Sequence, residues 1–457
     1  MKILKNLKYL LVLAIILPVF ASAETVAKIG TDEYESLQEA ITAATTGAEI
    51  ILQDDIVLDY SAPDGTTTIY ADKNIIINLN DHSYTGYILN NGTVTIKNGT
   101  LYNPSNGISF LNNDTVEFSN VNTRTNGDTY TFVFRNNSDA SLLTVNGGTY
   151  VGTFENNGGT MTINSGTFTE DTKHNMIFTN AGLITVNGGN FIATTTAKNL
   201  FQNTTYSYSI GGTSSTTTLR KIVINDGVFN AYQTAFTNLD GTSAIEINGG
   251  TINSTSTEKI INSNISISAD PGVYGGTAGT VTITGGTINA TNSSGIFIYS
   301  GNKLIIGKND GTVTNDSPTI NIPNGSLGSG YYNDVLEFYD GTVIQKAKID
   351  GTTGTRFNLT DITIPTGYYI KYDTNADSSI TAYLAAEATE PETTEPTTTE
   401  TPTTPASDVS EETSTTTEDI KNPNTGMFIS IIISSSLLLI LITSIVILKK
   451  RNKLYNI

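Results

Sequence analysis

Few side chains in this chain have the type and spacing that acid–base catalysis requires. Cleavage of a glycosidic bond uses two carboxyl groups about 5 to 9.5 Å apart. Two acids, Glu117 and Glu246, recur at one position of the sequence repeat described below. They are five repeats apart, which is roughly 24 Å if each repeat adds one strand spacing. We therefore predict that these carboxylates do not act together and that the chain is not an enzyme.

The sequence also has few residues that could serve as a catalytic histidine or as metal ligands. The sequence has no Cys and two His, His82 and His174, neither beside an acid-rich motif. Asp310 and Asp340 each precede Gly, which is typical of a turn, and Asp54-Asp55 is expected to end a strand. The calcium-binding pattern Gly-Gly-x-Gly-x-Asp is absent. The sequence predicts no catalytic residue, no metal site and no cofactor.

The elements that would position a site are set by an internal repeat. A three-residue motif that starts with Ile or Phe and ends in Asn recurs at a near-regular interval in eight copies. The intervals between its asparagines are 22, 24, 20, 24, 23, 35 and 24 residues, a period near 23. The copies are Ile88-Leu89-Asn90, Phe110-Leu111-Asn112, Phe134-Arg135-Asn136, Phe154-Glu155-Asn156, Phe178-Thr179-Asn180, Phe201-Gln202-Asn203, Phe236-Thr237-Asn238 and Ile260-Ile261-Asn262.

A second motif follows each copy of the first and alternates apolar, polar and apolar residues, often before Asn-Gly. This alternation predicts a strand with one face in a core, and its recurrence predicts stacked β-coils. A helical solenoid would need a spacing of three or four, and a propeller about forty residues per blade. The pattern weakens after Gly301. The copies are Val94-Thr95-Ile96, Val116-Glu117-Phe118, Leu143-Thr144-Val145, Met161-Thr162-Ile163, Ile184-Thr185-Val186, Ile222-Val223-Ile224, Ile245-Glu246-Ile247 and Val281-Thr282-Ile283.

The repeat assigns roles to several side chains. We expect its phenylalanines to form one internal stack and its asparagines a ladder at a corner of the coil. Ser36 and Glu39 form a capping-box pattern, which predicts a short helix ending at Gly47. That helix, in an N-terminal cap of residues 24–49, would cover the first coil, and residues 344–384 are expected to form a strand-rich C-terminal cap.

This repeat resembles that of right-handed parallel β-helix proteins, the pectin-lyase-like architecture of pectate lyases and of many bacterial surface adhesins. The resemblance covers residues 50–343. It implies an all-β solenoid. It leaves three functional hypotheses: an adhesin for glycans or proteins, a polysaccharide lyase or glycoside hydrolase, and a structural spacer without a ligand.

Two long coils carry their extra residues at the same corner, 204–218 and 263–279. The insertions contain Tyr206, Tyr208 and Tyr274 among Ser, Thr and Gly. Exposed tyrosines in such surroundings suit a sugar ring or a protein partner. Alternatively, the tyrosines fold back and cover their own loops.

Rows of threonine offer a further alternative. A flat, regular threonine surface is the kind that ice-binding solenoids use, although Thr is also common on exposed strands. The positions are Thr95, Thr144, Thr162, Thr185 and Thr282 in one row, and Thr100, Thr149, Thr167, Thr251 and Thr287 in the other.

The N-terminus has the pattern of a signal peptide over residues 1–23. Three lysines in the first eight residues precede an apolar stretch too short to span a bilayer. Ala21 and Ala23 supply the small residues of a cleavage site. We expect the mature chain to start near Glu24.

The C-terminus predicts display on a cell surface. Residues 385–421 are mostly Thr, Pro and Glu, a composition expected to form a disordered stalk. Residues 427–448 are apolar over roughly 33 Å as a helix, long enough to cross a bilayer, and the basic residues 449–457 should stay cytoplasmic.

The pentapeptide before this span is Asn422-Pro423-Asn424-Thr425-Gly426. The three-part tail resembles the cell-wall sorting signal of Gram-positive surface proteins, a Leu-Pro-x-Thr-Gly-type motif before a span and a positive stop. The resemblance implies cleavage by a sortase between Thr425 and Gly426 and linkage of Thr425 to peptidoglycan. Asn422 stands where Leu is usual, which leaves the sortase class open. An ordinary membrane anchor is the alternative.

The net charge of the chain limits the classes of partner that it can bind. A formal net charge of −19 argues against nucleic acid. We therefore expect a cell-wall-anchored, non-catalytic β-helix that acts as an adhesin outside the cell.

Overall fold

The computed structural model describes residues 24–58, 65–103, 107–125, 131–170, 176–193, 199–203, 220–238, 243–254, 259–263, 279–292, 295–298, 302–329, 334–350, 357 and 361–388. The predicted signal peptide, sorting motif, membrane span and basic tail lie outside these residues. Among the described ranges, no helix reaches the length and hydropathy of a membrane span.

The described chain is an all-β solenoid whose coils each contribute strands to three faces. Along the chain, a strand of the second face is followed by one of the third and then one of the first. The first face contains β5 (Thr66–Ile69), β8 (Tyr87–Asn90), β10 (Gly107–Asn112), β12 (Thr131–Asn136), β14 (Thr153–Asn156), β16 (Met176–Asn180), β19 (Asn199–Asn203), β22 (Thr234–Asn238), β25 (Lys259–Ser263), β28 (Gly295–Ile298) and β31 (Ser326–Ser329).

The second and third faces belong to one larger sheet, and four long strands run through both of them. The second face contains β3 (Glu49–Leu52), β6 (Asn74–Asn78), β9 (Thr93–Asn103), β11 (Thr115–Thr125), β13 (Leu142–Val151), β15 (Thr160–Thr169), β17 (Leu183–Val186), β20 (Arg220–Ile224), β23 (Ser243–Ile247), β26 (Thr280–Ile283), β29 (Lys303–Ile306), β32 (Val335–Phe338) and β34 (Ile362–Thr363). The third face contains the C-terminal halves of β9, β11, β13 and β15 with β4 (Ile56–Val57), β7 (Ser83–Thr85), β18 (Asn190–Ile192), β21 (Val228–Ala231), β24 (Thr251–Ser254), β27 (Thr287–Ala290), β30 (Thr319–Ile322) and β33 (Thr342–Gln345).

Successive coils pair in parallel, and the register confirms the second motif throughout. Val94, Val116 and Leu143 lie opposite one another in the ladder, as predicted. The first motif is correct as far as Asn238. There the prediction is wrong by one residue, because Phe236 lies opposite Ile261 rather than Ile260. The repeat also continues past Gly301, where the sequence pattern weakens, since β29 to β33 complete all three faces.

The core holds two aromatic stacks where one was predicted. The predicted stack is present, with ring centroids 4.5 to 6.0 Å apart from coil to coil, in the order Phe110, Phe134, Phe154, Phe178, Phe201 and Phe236. A second stack runs beside it through Phe118, Tyr150, Phe168, Phe191 and Phe229. The stacks meet edge to face, as Phe154 and Phe168 show at 5.7 Å and 73°. This geometry favours contact between the ring quadrupoles.

The predicted asparagine ladder is buried at the end of the first face. In each step the Nδ2 of one asparagine donates to the Oδ1 of the next coil's asparagine, at 2.7 to 3.1 Å, through Asn90, Asn112, Asn136, Asn156, Asn180, Asn203 and Asn238. In the register, Ser263 and not the predicted Asn262 lies opposite Asn238. The amides satisfy backbone carbonyls at a corner that water does not reach.

The N-terminal cap contains the predicted helix α1 (Leu37–Ala43), with Ser36 as N-cap. Ser36 Oγ accepts the Glu39 N–H at 3.2 Å. The helix ends at Ala43 and not at Gly47. A hairpin absent from the prediction, β1 (Ala27–Ile29) with β2 (Asp32–Tyr34), pairs antiparallel with β3 through β1 and covers the edge of the second face.

The C-terminal cap is strand-rich, as predicted. β35 (Tyr368–Thr374) and β36 (Ile380–Ala386) form an antiparallel hairpin, and β36 pairs antiparallel with β33. The last strand thus runs two residues beyond the predicted boundary at 384. An antiparallel strand thus covers the N-terminal edge of the second face and the C-terminal edge of the third face, and so keeps β3 and β33 from pairing with another chain.

Candidate functional site

The acids singled out from the sequence are far apart. Register places five strand-to-strand steps between Glu117 and Glu246, through Thr144, Thr162, Thr185 and Val223. Each acid has its own partner: Glu117 accepts an amide proton from Asn146, and Glu246 pairs with Lys221 at 2.6 Å. The predicted separation of the two carboxylates is confirmed.

The structure adds two acids to this row that sequence reasoning missed. Glu49 and Glu337 occupy the same outward position near the two ends of the second face. Glu49 pairs with Lys97 at 3.0 Å and Glu337 with Lys303 at 2.5 Å. The row therefore alternates neutral stretches with isolated ion pairs.

His82 has an acidic neighbour in the structure, Asp55. Its Nδ1 lies 3.5 Å from Asp55 Oδ1. The Ser83 N–H, bound to the same carboxylate at 2.7 Å, is the main cause that lowers the pKa of Asp55. His174 is outside the described residues. Within the described ranges, no three His, Cys, Asp or Glu side chains are grouped to hold a metal ion.

Tyr206, Tyr208 and Tyr274 also lie outside the described residues. The flanking strands do fix where their loops leave the solenoid. One leaves after Asn203 and returns at Arg220, and the other lies between Ser263 and Gly279. Both gaps join a first-face strand to a second-face strand, so both insertions start from the corner that the sequence predicted.

The outward side of the first face is buried along its middle coils. Its outward side chains are nearly as buried as the inward ones: Glu155 is 2% exposed, Thr179 4%, Gln202 6% and Thr237 4%. Arg135 and Glu155 form a buried ion pair there. A buried pair of this kind fixes geometry and adds little net stability.

The outward side chains of the second and third faces are both half-buried or exposed. On the third face, eight successive strands present two outward rows. We call these two rows the neutral face. The first row is Thr149, Thr167, Asn190, Val228, Thr251, Thr287, Thr319 and Thr342. The second row is Val151, Thr169, Ile192, Asn230, Asn253, Asn289, Asn321 and Ile344. The side chains between the rows are buried in the core, and the rows themselves are half-buried or exposed.

Neither row contains a charged residue, although the chain has a net charge of −19. Charged residues do lie at its borders. Asp226 precedes Val228, and its carboxylate accepts the Gly227 N–H at 2.7 Å; Asp340 precedes Thr342, and its carboxylate accepts the Asn315 N–H at 2.7 Å. The exposed Arg124 lies on β11, the strand next to β13. The face therefore offers hydroxyls, amides and small apolar groups. It suits an uncharged surface better than an ionic one.

The amides of the second row are pre-ordered. Asn253 Nδ2 donates to Asn230 Oδ1 at 3.0 Å, and Asn289 Nδ2 donates to Asn253 Oδ1 at 3.1 Å. Each amide has two N–H donors and an oxygen with two lone pairs, so these bonds leave donor and acceptor capacity for a ligand. Fixing the amides in advance lowers the entropic cost of binding.

A second ladder borders the neutral face at the Asn-Gly corner, and we call it the border ladder. Its members are Asn146, Asn164, Asn187, Asn225, Asn248 and Thr284, linked at 2.7 to 3.0 Å. Every donor points toward the N-terminal coils, opposite to the buried ladder. The last donor, Asn146 Nδ2, reaches Glu117 Oε1 at 2.8 Å.

An exposed aromatic residue lies at the far edge of the face. Tyr232 follows Val228 and Asn230 at the alternating outward positions of β21 and the turn after it. Tyr232 and Val228 are each 42% exposed. An aromatic ring beside hydroxyls and amides is the combination that binds the apolar face and the hydroxyl edge of a sugar.

Part of this surface was visible in the sequence. The predicted positions Thr149, Thr167, Thr251 and Thr287 share one row, with Asn190 and Val228 between the second and the third, and Thr319 and Thr342 extend it. The fifth predicted position, Thr100, lies opposite Asn122 on the same face. The repeated triplet Thr-Ile-Asn, at 251, 287 and 319, was the available signal. The other predicted threonine row is on the second face, so the two rows are not neighbours on one surface.

Comparison with family models, with curated proteins and with solved structures finds no match in any of the three.

Proposed function

We propose that this chain is a cell-wall-anchored, non-catalytic surface protein that binds its ligand through the neutral face, and so works as an adhesin. The observation that carries the proposal is a partly exposed surface, eight strands long, whose two rows carry no charge in a strongly acidic chain. Its ordered amides and exposed Tyr232 favour binding over a spacer role. The dispersed, individually paired acids of the second face favour binding over hydrolysis.

The display of the solenoid is part of the proposal. The signal-peptide pattern, the Thr, Pro and Glu stalk and the tail motif support export, sortase processing and linkage through Thr425 to peptidoglycan. We also propose that the coils wind right-handed, the sense that parallel crossover connections adopt in about 98% of cases. In the Thr425→Ala variant the protein should stay in the membrane fraction. Normal wall linkage of that variant would show that the tail is not a sorting signal.

A matched pair of variants tests the binding function on cells that display the full chain. Thr287→Glu places a charge in the middle of the neutral face, between Thr251 and Thr319. Thr162→Glu places the same charge on the second face, between Thr144 and Thr185. We expect adhesion to glycan- or matrix-coated surfaces to fall at least tenfold in Thr287→Glu and to change little in Thr162→Glu.

Three other results would reject the proposal. Equal adhesion in both variants would place binding elsewhere. No adhesion by the unmodified chain to any glycan or matrix protein would favour the spacer. Release of reducing or unsaturated sugar ends from a polysaccharide would favour a hydrolase or a lyase.

A further inference from the structure

We infer that the ligand of the neutral face is an uncharged, linear polysaccharide that lies along the solenoid axis and stacks one ring on Tyr232. The inference rests on the proposed function, because it names the ligand class of the same surface.

Charge excludes the acidic polymers. The chain has a net charge of −19, so its field repels an anionic polysaccharide, and the two rows contain no Lys or Arg that would compensate. A polycation would be attracted more strongly to the carboxylates of the second face than to this surface. A neutral polymer is neither repelled by the net charge of the chain nor drawn away to the carboxylates of the second face.

Repetition favours a polymer over a folded protein. Protein interfaces concentrate their energy in a few residues that fill pockets. The neutral face instead repeats the pair Thr and Asn on three successive strands, at Thr251 and Asn253, Thr287 and Asn289, and Thr319 and Asn321. The spacing of these pairs is set by the sheet, at about 4.8 Å. A pyranose ring in an extended chain advances by a similar length, so one coil can serve one ring.

The length of the face sets the size of the ligand. Eight strands give seven steps, or roughly 34 Å, which accommodates about seven rings. Affinity should therefore rise with the length of an oligosaccharide and level off near seven units. The two rows run along the axis, so a chain crossing the strands satisfies more of them than a chain parallel to a strand.

Tyr232 supplies the anchor. Its side chain is 42% exposed, at the next outward position after Asn230. Two other tyrosines match its exposure away from this face: Tyr369 in the C-terminal hairpin at 46%, and Tyr70 after β5 at 44%. They provide controls of the same chemistry.

The test uses the full-length chain in detergent and two labelled oligosaccharide series, cello-oligosaccharides and chito-oligosaccharides of two to eight rings, with oligogalacturonates as the acidic counterpart. We expect one neutral series to bind, with affinity rising to about seven rings. Binding should change less than twofold between low and high salt, because no ion pair forms. Tyr232→Ala should weaken binding about fivefold or more, while Tyr369→Ala and Tyr70→Ala should not. Thermal unfolding measured by circular dichroism confirms that each variant is folded.

Several outcomes would overturn the inference. Binding only of oligogalacturonates would reject the uncharged class, and affinity independent of length would reject the axial arrangement. Equal losses of affinity in all three tyrosine variants would reject Tyr232 as the residue that stacks on the sugar. If Thr287→Glu abolishes adhesion to a matrix protein while neither neutral series binds, the proposed function stands and the polysaccharide does not.

Discussion

Asn146 donates its side-chain amide to the carboxylate of Glu117 at 2.8 Å, and this bond ends the border ladder on a negative charge. Every other bond of the ladder points the same way, from Thr284 down to Asn146. Hydrogen bonds in such a chain polarise one another, and a charged acceptor strengthens the last of them. The carboxylate therefore fixes the direction of the amides along the edge of the neutral face.

Replacing this donor with an acceptor should destabilise the solenoid. In Asn146→Asp, a carboxylate would face that of Glu117. We expect the free energy of unfolding to fall by about 1 kcal/mol at neutral pH. Asn187→Asp is the control, because its neighbours are amides and its loss should be smaller. Urea unfolding at pH 7 and at pH 3.5 provides the measurement. Equal losses at both pH values would show that repulsion is not the cause.

The buried ladder should tolerate change far less. Asn156 is 1% exposed, donates to Asn180 and to two backbone carbonyls, and accepts a bond from Asn136. Asn156→Ala would leave buried polar groups without partners, which should cost roughly 2 to 4 kcal/mol. Asn187→Ala, in the exposed border ladder, should cost less than about 1 kcal/mol. The free energy of unfolding from urea titration measures both variants, and similar losses would contradict the difference in burial.

Deleting one ring should open the solenoid locally. In the core, the ring centroid of Phe178 lies 4.5 Å from that of Phe201 and 5.2 Å from that of Phe154. We expect Phe178→Ala to cost about 3 to 5 kcal/mol because it leaves a cavity between coils. Since repeat proteins are stabilised by contacts between neighbouring repeats, hydrogen exchange should accelerate first in the flanking coils. Leu142→Ala, at a side chain 45% exposed, is the control. Uniform acceleration along the whole solenoid would contradict local opening.

Acid should weaken the N-terminal coils through Glu49. A hydrogen bond from the Asn78 amide at 2.8 Å, followed by that from Lys97, holds the pKa of Glu49 below its ordinary value of 4.5. A carboxyl whose pKa is lower in the folded state stabilises the fold above about pH 4.5, and this contribution is lost as pH falls through the lowered pKa. The side chain is 37% exposed, so solvent screening limits the effect to about 0.5 kcal/mol.

Glu49→Gln should therefore flatten the loss of stability between pH 5 and pH 3, measured by thermal unfolding. Glu39→Gln is the control for removal of an N-terminal carboxylate. An unchanged acid profile in Glu49→Gln would contradict the assignment.

Glutamine side chains should protect the two ends of the first face. The Gln38 amide both donates to Thr68 O and accepts from Thr68 N on β5, at 3.1 and 2.7 Å, and so imitates a neighbouring strand. Gln345 Oε1 accepts from Leu327 N on β31 at 2.8 Å. Gln38→Ala should free an edge and promote association of coils from different molecules. Light scattering during slow heating measures this, with Gln53→Ala as the control, and equal scattering by both variants would reject the edge role.

The sequence determined the solenoid because the alternation of side chains along a strand is a local property. Apolar triplets such as Val94-Thr95-Ile96 identify the inward residues, and their period of near 23 residues requires stacking. The capping box at Ser36 and the buried asparagine row were predictable for the same reason. The end of α1 was not, because it involves a residue distant in sequence: Lys73 donates to the carbonyls of Thr42 and Ala44.

What surrounds each residue was decided only by the tertiary structure. The row to which an outward side chain belongs depends on register between coils of unequal length, and the shift at Ile261 shows that one residue is enough to change it. The same register unites Thr149 and Thr342 on one uncharged surface and buries the outward side of the first face at Glu155. Neighbouring residues of a row are separated by 18 to 38 positions in the chain, so no local pattern specifies their contact.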